Sequence, residues 1–191
     1  MKIKKIYIVH GVNNKIMKYK KQNKKEILIK FKQTSNPKEL DEMLYQFEKK
    51  LNEFNKNYFL KESENPFIYF LEYSKPEELI KHLEIDEEYC IIPVTCVISN
   101  MNYITSVILK KIRHKLCYKD TFKINCYLNS YCVSQTEETI ENELTSRIEN
   151  IIKIEKSKKN PVWTINLYVV GDISAINIVN TKNNRIHVGV D

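Results

Sequence analysis

The sequence contains few glycines and arginines and lacks closely spaced cysteine pairs. Only three of its 191 residues are glycine, and none are spaced to form the phosphate loop of a P-loop NTPase or a dinucleotide-binding turn. The five cysteines are an odd number, and no two have CxxC spacing. This is typical of reduced thiols in the cytoplasm, not of a zinc site or a disulfide framework. We therefore expect no metal and no cofactor.

Sequences that would direct the chain to a membrane are also missing. The chain opens on a lysine-rich segment, which is not the pattern of a signal peptide. The uncharged run that begins at Tyr89 contains Pro93 and several polar residues, unlike a membrane-spanning helix. We therefore expect a cytoplasmic protein with no membrane partner. No Ser/His/Asp or Cys/His arrangement can be paired from the sequence, and we expect no catalytic residue.

Positive charge is abundant and unevenly distributed. The formal net charge is +7 and the isoelectric point is near 9.0, which favours a polyanion such as nucleic acid as a partner. Only three of the 31 basic residues are arginine, so contacts to phosphates are favoured over the reading of base edges. The basic excess lies in three separate segments, residues 1–33, 91–124 and 156–191, between which the chain is acidic. Folding could bring the three segments together.

The hydrophobic pattern predicts a mixed α/β (α+β) fold. Strands are predicted at residues 5–12 and 26–31, then a helix capped by Asn36, strands at 58–61 and 67–73, a short helix after Ser74 and a buried strand at 89–98. From residue 26 this is the element order of a ferredoxin-like unit. Residues 1–98 are therefore predicted to form a ferredoxin-like domain with an added N-terminal strand and a lysine-rich loop.

Residues 99–191 are predicted to form a second domain. Asn100 can cap a helix, and a strand follows at residues 122–128. Ser134 and Glu137 form a predicted capping box for another helix. Strands at 162–170 and 174–179 are separated by the turn Gly171-Asp172, and a last short strand is predicted at 186–190.

This second half resembles an archaeal THUMP domain. The residues that carry the resemblance are Ile91-Ile92-Pro93-Val94 followed by a helix from Asn100, Thr121-Phe122-Lys123-Ile124, Ser134 with Glu137-Glu138, Pro161, the run from Ile165 to Asp172, and the run from Ile176 to Val179. With the ferredoxin-like half, the resemblance covers essentially the whole chain. It implies tRNA binding. Because the chain ends just after the last hairpin, it is similar to the stand-alone adaptors that present tRNA to a separate cytidine acetyltransferase.

One departure from that family keeps an alternative open. Similar archaeal proteins usually carry several basic residues after the position of Phe122, whereas here Lys123 is the only one before Asn129. The alternative is a THUMP-derived protein-interaction module that no longer binds RNA. A small-molecule enzyme built on the first half is a further possibility, but no site for it can be named.

The candidate RNA-binding residues are mostly lysines outside the predicted core. They are Lys110, Lys111, Arg113 and Lys115 on or after one helix, Lys123 on a strand, Lys156, Lys158 and Lys159 in a loop, Lys182 and Arg185 after the hairpin, and Lys18, Lys20, Lys21, Lys24 and Lys25 near the N-terminus. For each cluster the alternative is a merely solvated surface. Phosphate contacts of this kind give salt-dependent binding with little sequence specificity.

Three aromatic residues are candidates for stacking on unpaired bases. They are Tyr127, Tyr131 and Trp163. Tyr131 is favoured because it lies in a predicted loop, whereas the alternative for all three is a place in the core or on the sheet.

Overall fold

The structure is a computed structural model that describes residues 25–54, 58–73, 76–83, 86–130, 134–157 and 159–184. In chain order the elements are β1 (Lys25–Phe31), α1 (Pro37–Phe54), β2 (Phe59–Glu62), β3 (Ile68–Tyr73), α2 (Pro76–Leu83), β4 (Tyr89–Ile98), α3 (Met101–Ile112), β5 (Thr121–Leu128), α4 (Glu137–Ile152), β6 (Glu155–Lys156), β7 (Trp163–Val170), β8 (Ile173–Asn180) and α5 (Thr181–Asn184). The predicted strands at residues 5–12 and 186–190 lie outside the described residues.

The described strands form one continuous mixed sheet in the order β2-β3-β1-β4-β8-β7-β5-β6. Each of the five pairings along this order from β2 as far as the β8–β7 pair is antiparallel. Strand β5 runs parallel to both β7 and β6. Strand β4 joins the two halves, because its first part pairs with β1 and its last four residues pair with β8. The predicted boundary at residue 98 falls at the end of this shared strand, and the division into two domains stays a prediction.

Local sequence explains why the helices begin where they do. The Asn36 side chain accepts a hydrogen bond from the backbone N–H of Lys38, and Pro37 occupies the first position of α1. The Asn100 side chain accepts from the N–H of Asn102 and caps α3. Both starts agree with the prediction.

The predicted capping box at the start of α4 is wrong. Thr136 caps this helix, and its hydroxyl accepts from the backbone N–H of Thr139 at 3.2 Å. The Glu137 carboxylate instead accepts from the backbone N–H of Leu128, and Glu141 accepts from that of Cys126, both at 2.8 Å. Both carboxylates therefore bind backbone N–H groups on the β6 side of β5, past the point where the short strand β6 ends. Glu137 is thus not available to form a capping box with Ser134.

In the part of the chain that the structure describes, the core consists of three clusters of apolar side chains. In the first half, α1 and α2 pack on one face of the sheet around Phe31, Phe47 and Tyr89. In the second half, α3 and α4 contribute Ile108 and Leu144 to a cluster with β5, β7 and β8. A third cluster joins residues of both halves, and its buried members are Leu28, Ile68, Phe70, Val94, Val170 and Ala175. Burial of this apolar surface is the main stabilising contribution. Among the described helices, none has the length and hydrophobicity needed to cross a membrane.

Gly171, in the turn between β7 and β8, requires a glycine. Its φ is +58°, and an added Cβ would lie 2.5 Å from Glu64 Oε2. We expect Gly171→Ala to lower the free energy of unfolding by about 1–2 kcal/mol because of the left-handed backbone. Urea unfolding of Gly171→Ala measures the cost. Adding Glu64→Ala removes the close contact and should leave most of the loss, whereas full recovery in the double variant would contradict the backbone explanation.

Candidate nucleic-acid interface

Basic residues from two of the three predicted basic segments, 91–124 and 156–191, meet at one end of the second half of the sheet. Helix α3 ends there before β5 begins, the loop after α4 passes there, and β8 finishes there. Backbone hydrogen bonds hold these parts together: the N–H of Ser157 donates to the carbonyl of Phe122 at 2.8 Å, and the N–H of Thr181 donates to that of Val162 at 2.9 Å. We call this region, the described residues 110–120, 153–157, 159 and 180–182, the basic end. Of the remaining basic segment, 1–33, residues 25–31 form β1 in the first half, and residues 1–24 lie outside the described residues.

A buried carboxylate connects the basic end. Asp120 is only 3% exposed. Its Oδ2 accepts from Trp163 Nε1 at 2.9 Å and from the backbone N–H of Cys117 at 3.1 Å, and its Oδ1 accepts from Lys182 Nζ at 2.5 Å. Asp120 therefore joins the loop before β5 to the start of β7 and to α5.

These contacts shift the ionisation of both partners. Burial alone would raise the pKa of the Asp120 carboxyl, but the hydrogen bonds from Lys182, Trp163 and Cys117 outweigh burial and lower it. The hydrogen bond to Asp120 raises the pKa of Lys182, and desolvation opposes this only in part. Both groups are charged at neutral pH, so Asp120 partly neutralises the positive charge of Lys182.

The basic residues of α3 and the turn after it are exposed. Lys110, Lys111, Arg113 and Lys115 all lie at the surface around the C-terminal end of the helix. Lys111 Nζ donates to the hydroxyl of Thr95 on β4, and Arg113 Nε donates to His114 Nε2 at 3.0 Å. Positive side chains at a helix C-terminus also interact favourably with the helix dipole. Their position therefore has a structural benefit besides a role in binding.

The other predicted site residues fall into four groups. Lys156 and Lys159 lie at the basic end, Lys156 half-buried and Lys159 exposed. Lys123 is on the opposite face of β5, since it alternates with the buried Phe122 and Ile124. Lys25 begins β1 in the first half and does not lie in a loop. Outside the described residues are Lys18, Lys20, Lys21, Lys24, Lys158, Arg185 and Tyr131.

Of the predicted stacking candidates, the structure rejects Trp163. Its side chain is 3% exposed and is held in the core through Asp120. Tyr127 is 38% exposed, and its ring stacks on Tyr168 with centroids 4.8 Å apart. Tyr127 is therefore available only in part.

The sequence interpretation missed Tyr118 and Lys119. They form the turn between α3 and β5, and Tyr118 is 91% exposed. Lys119 Nζ lies 5.5 Å from the centroid of the Tyr118 ring. A signal was available, because an aromatic residue here follows four basic residues and directly precedes a fifth.

The face of the sheet opposite to α3 and α4 carries a row of asparagines. Asn125 Nδ2 donates to Asn166 Oδ1 at 2.8 Å, Asn166 Nδ2 donates to Asn177 Oδ1 at 3.1 Å, and Asn177 Nδ2 donates to the carbonyl of Pro93 at 2.9 Å. Lys123 and the pair Tyr127–Tyr168 lie on the same face, on either side of this row. Since amide side chains are polar but carry no net charge, this row contributes hydrogen-bonding groups and no charge to the face.

None of the protein-family models matches the chain, and neither does any of the curated proteins. Solved structures do match. The crystal structure of PH1313 from Pyrococcus horikoshii Ot3 superposes with a TM-score of 0.67 at 15% identity, over 81% of this chain and 54% of that one. A 4-thiouridine synthetase in complex with RNA and bound ATP superposes with a TM-score of 0.56 at 14% identity, over 82% of this chain and 41% of that one.

These similarities show that the chain has a mixed α/β fold of the THUMP-like kind. The expectation of a mixed α/β fold is therefore confirmed, and the ferredoxin-like character of residues 1–98 stays a prediction. The chain spans about half the length of the PH1313 structure and less than half that of the synthetase.

Proposed function

We propose that this protein binds tRNA through the basic end and presents it, without catalysing a reaction, to a separate modification enzyme. The observation that carries the proposal is that the end of α3, the loop after α4 and the end of β8 meet at one end of the sheet, with Asp120 joining the turn after α3 to Lys182. One similar structure, that of the 4-thiouridine synthetase, was solved as a complex with RNA. Lysine-rich surfaces suit phosphates because each ammonium group acts as a compact point charge.

The charge distribution of the second half supports a defined orientation on RNA. The opposite end of the sheet carries Glu137 and Glu138 at the start of α4 and Asp172 in the turn after β7. Phosphates are attracted to the basic end and repelled from the acidic one. Binding is therefore expected to be oriented by charge.

Salt dependence tests the proposal. We expect the full chain to bind tRNA with an affinity whose logarithm falls linearly with the logarithm of salt concentration, because phosphate binding releases condensed counterions. Fluorescence anisotropy with labelled tRNA between roughly 50 and 300 mM salt measures the slope, because screening of exposed charges increases over this range. No binding at the lowest salt would overturn the proposal.

The adaptor role needs a separate experiment. Nucleosides from the tRNA of a deletion strain, measured by mass spectrometry, would lack the modification that this protein assists. Loss of acetylcytidine would identify a cytidine acetyltransferase as the partner, and unchanged acetylcytidine would exclude that partner.

A protein-interaction module is the second candidate. The observation in its favour is the face with the asparagine row, on which Lys123 is the basic residue contributed by β5. If the wild-type chain binds no tRNA at low salt but copurifies in a stable complex with a modification enzyme, this function replaces the first.

A further inference from the structure

We propose that Tyr118 stacks on an unpaired base of RNA held at the basic end. This inference rests on the proposed function and adds the kind of RNA that the site selects, one with an unpaired nucleotide beside a phosphate backbone. Three features point to it: the exposure of the ring, the hydrogen bonds that fix its turn and the charges around it.

The exposure of Tyr118 argues against a role in packing. At 91% it is far above that of Tyr45 on α1, which is 65% exposed, and of Tyr127. A ring this exposed gains little from the protein core, and each base offers a π-face on which it can stack. The ring is therefore available to a ligand.

The turn that carries Tyr118 is fixed before any ligand binds. The backbone N–H of Cys117 donates to Asp120 Oδ2, and the backbone N–H of Asp120 donates to the carbonyl of Cys117, both at 3.1 Å. Lys119 between them has a φ of +69°. Since Asp120 is itself held by Trp163, little backbone freedom remains to be lost on binding.

The charges around the turn suit a nucleotide. Lys119 Nζ lies 5.5 Å from the Tyr118 centroid, and Lys115 is exposed in the preceding turn. A base stacked on the ring would place its phosphate within the field of these ammonium groups. Stacking is tolerant of base identity, so the site is expected to select an unpaired nucleotide and not a sequence.

The experiment compares RNAs in which 2-aminopurine is unpaired, in a loop, a bulge or a single-stranded end, with a blunt-ended RNA duplex in which it is base-paired and no nucleotide is unpaired. For the unpaired RNA we expect Tyr118→Ala to weaken binding roughly tenfold and to abolish the quenching of 2-aminopurine fluorescence. Tyr118→Phe should retain both, because the ring is kept. For the paired RNA, Tyr118→Ala should bind like the wild type.

Tyr45→Ala is the matched control, since it removes an exposed tyrosine from α1 in the first half of the chain. It should change neither binding nor quenching. Urea unfolding of each variant checks that the fold is intact. If Tyr118→Ala binds and quenches like the wild type, this inference fails and the proposed function stands. If quenching is lost in Tyr127→Ala instead, the base lies on the opposite face of the sheet and the inference also fails. If the wild type binds neither RNA, both fail.

Discussion

Removal of the four basic residues at the end of α3 is expected to weaken tRNA binding on the order of a hundredfold at low salt. The variant carries alanine at Lys110, Lys111, Arg113 and Lys115. Each lost phosphate contact also lowers the salt slope by about one unit, so the slope should become shallower by up to roughly four units. Anisotropy titrations of the variant and the wild type over the same salt series give both quantities.

A matched control separates a site from general charge. Four lysines in the first half of the chain, Lys38, Lys49, Lys61 and Lys81, are exposed on α1, β2 and α2. Their combined replacement with alanine changes the net charge by the same amount. We expect it to leave the salt slope nearly unchanged, with only a small loss of affinity from long-range attraction. Equal losses in both variants would mean that the basic end is not the interface.

The parts of the fold that local sequence determines could be predicted. Asn36, which is followed by Pro37, and Asn100 each begin a helix because the side chain accepts a hydrogen bond from the backbone N–H two residues later. Such a contact between near neighbours can be predicted from the sequence. Strand β4 can be predicted over its full length because an uncharged run of ten residues rich in β-branched side chains suits a strand. The prediction that this strand is buried is wrong for most of it, since only Tyr89 and Val94 are buried. An uncharged run indicates a strand but does not show whether both faces of the sheet are covered. Helix α4 was placed correctly but its cap was not, since Glu137 hydrogen-bonds to β5 instead.

The candidate site depends on contacts between distant residues, and the sequence does not show them. Asp120 is separated by 43 residues from Trp163 and by 62 from Lys182. In the sequence Asp120 is the single acidic residue of a basic segment, and nothing marks it as buried. Trp163 lies in a predicted strand, and the sequence does not show which face of the sheet its side chain is on. The order of strands, with β7 between β8 and β5 and with β6 beside β5, places the end of β8, the start of β5 and the loop after α4 at the same end of the sheet.

Replacement of Asp120 is expected to damage both the fold and the site. Asp120→Ala leaves the buried Trp163 Nε1–H and the N–H of Cys117 without their acceptor, and we expect the free energy of unfolding to fall by about 3 kcal/mol. Asp120→Asn keeps an acceptor oxygen of the same size and should lose less. Because Asp120 also fixes the turn of Tyr118, Asp120→Ala should weaken binding of RNA with an unpaired base, whereas Asp120→Asn should largely preserve it.

The pH dependence of unfolding shows whether the charge of Asp120 contributes. The pKa of this carboxyl is lowered from 3.8 in the fold, so its contribution is complete above about pH 4 and is lost as the pH falls through the lower folded value. The stability difference between the wild type and Asp120→Asn should therefore be constant near neutral pH and shrink below about pH 4. At the alkaline end, the raised pKa of Lys182 keeps its contribution complete below pH 10.5, and this contribution is lost as the pH rises through the folded value. Urea unfolding of both proteins between about pH 2 and pH 8 measures the difference in their free energies of unfolding. This range lies below the usual lysine pKa, so Lys182 stays charged throughout. A difference that stays the same down to pH 2 would show that Asp120 acts through its shape and not through its charge.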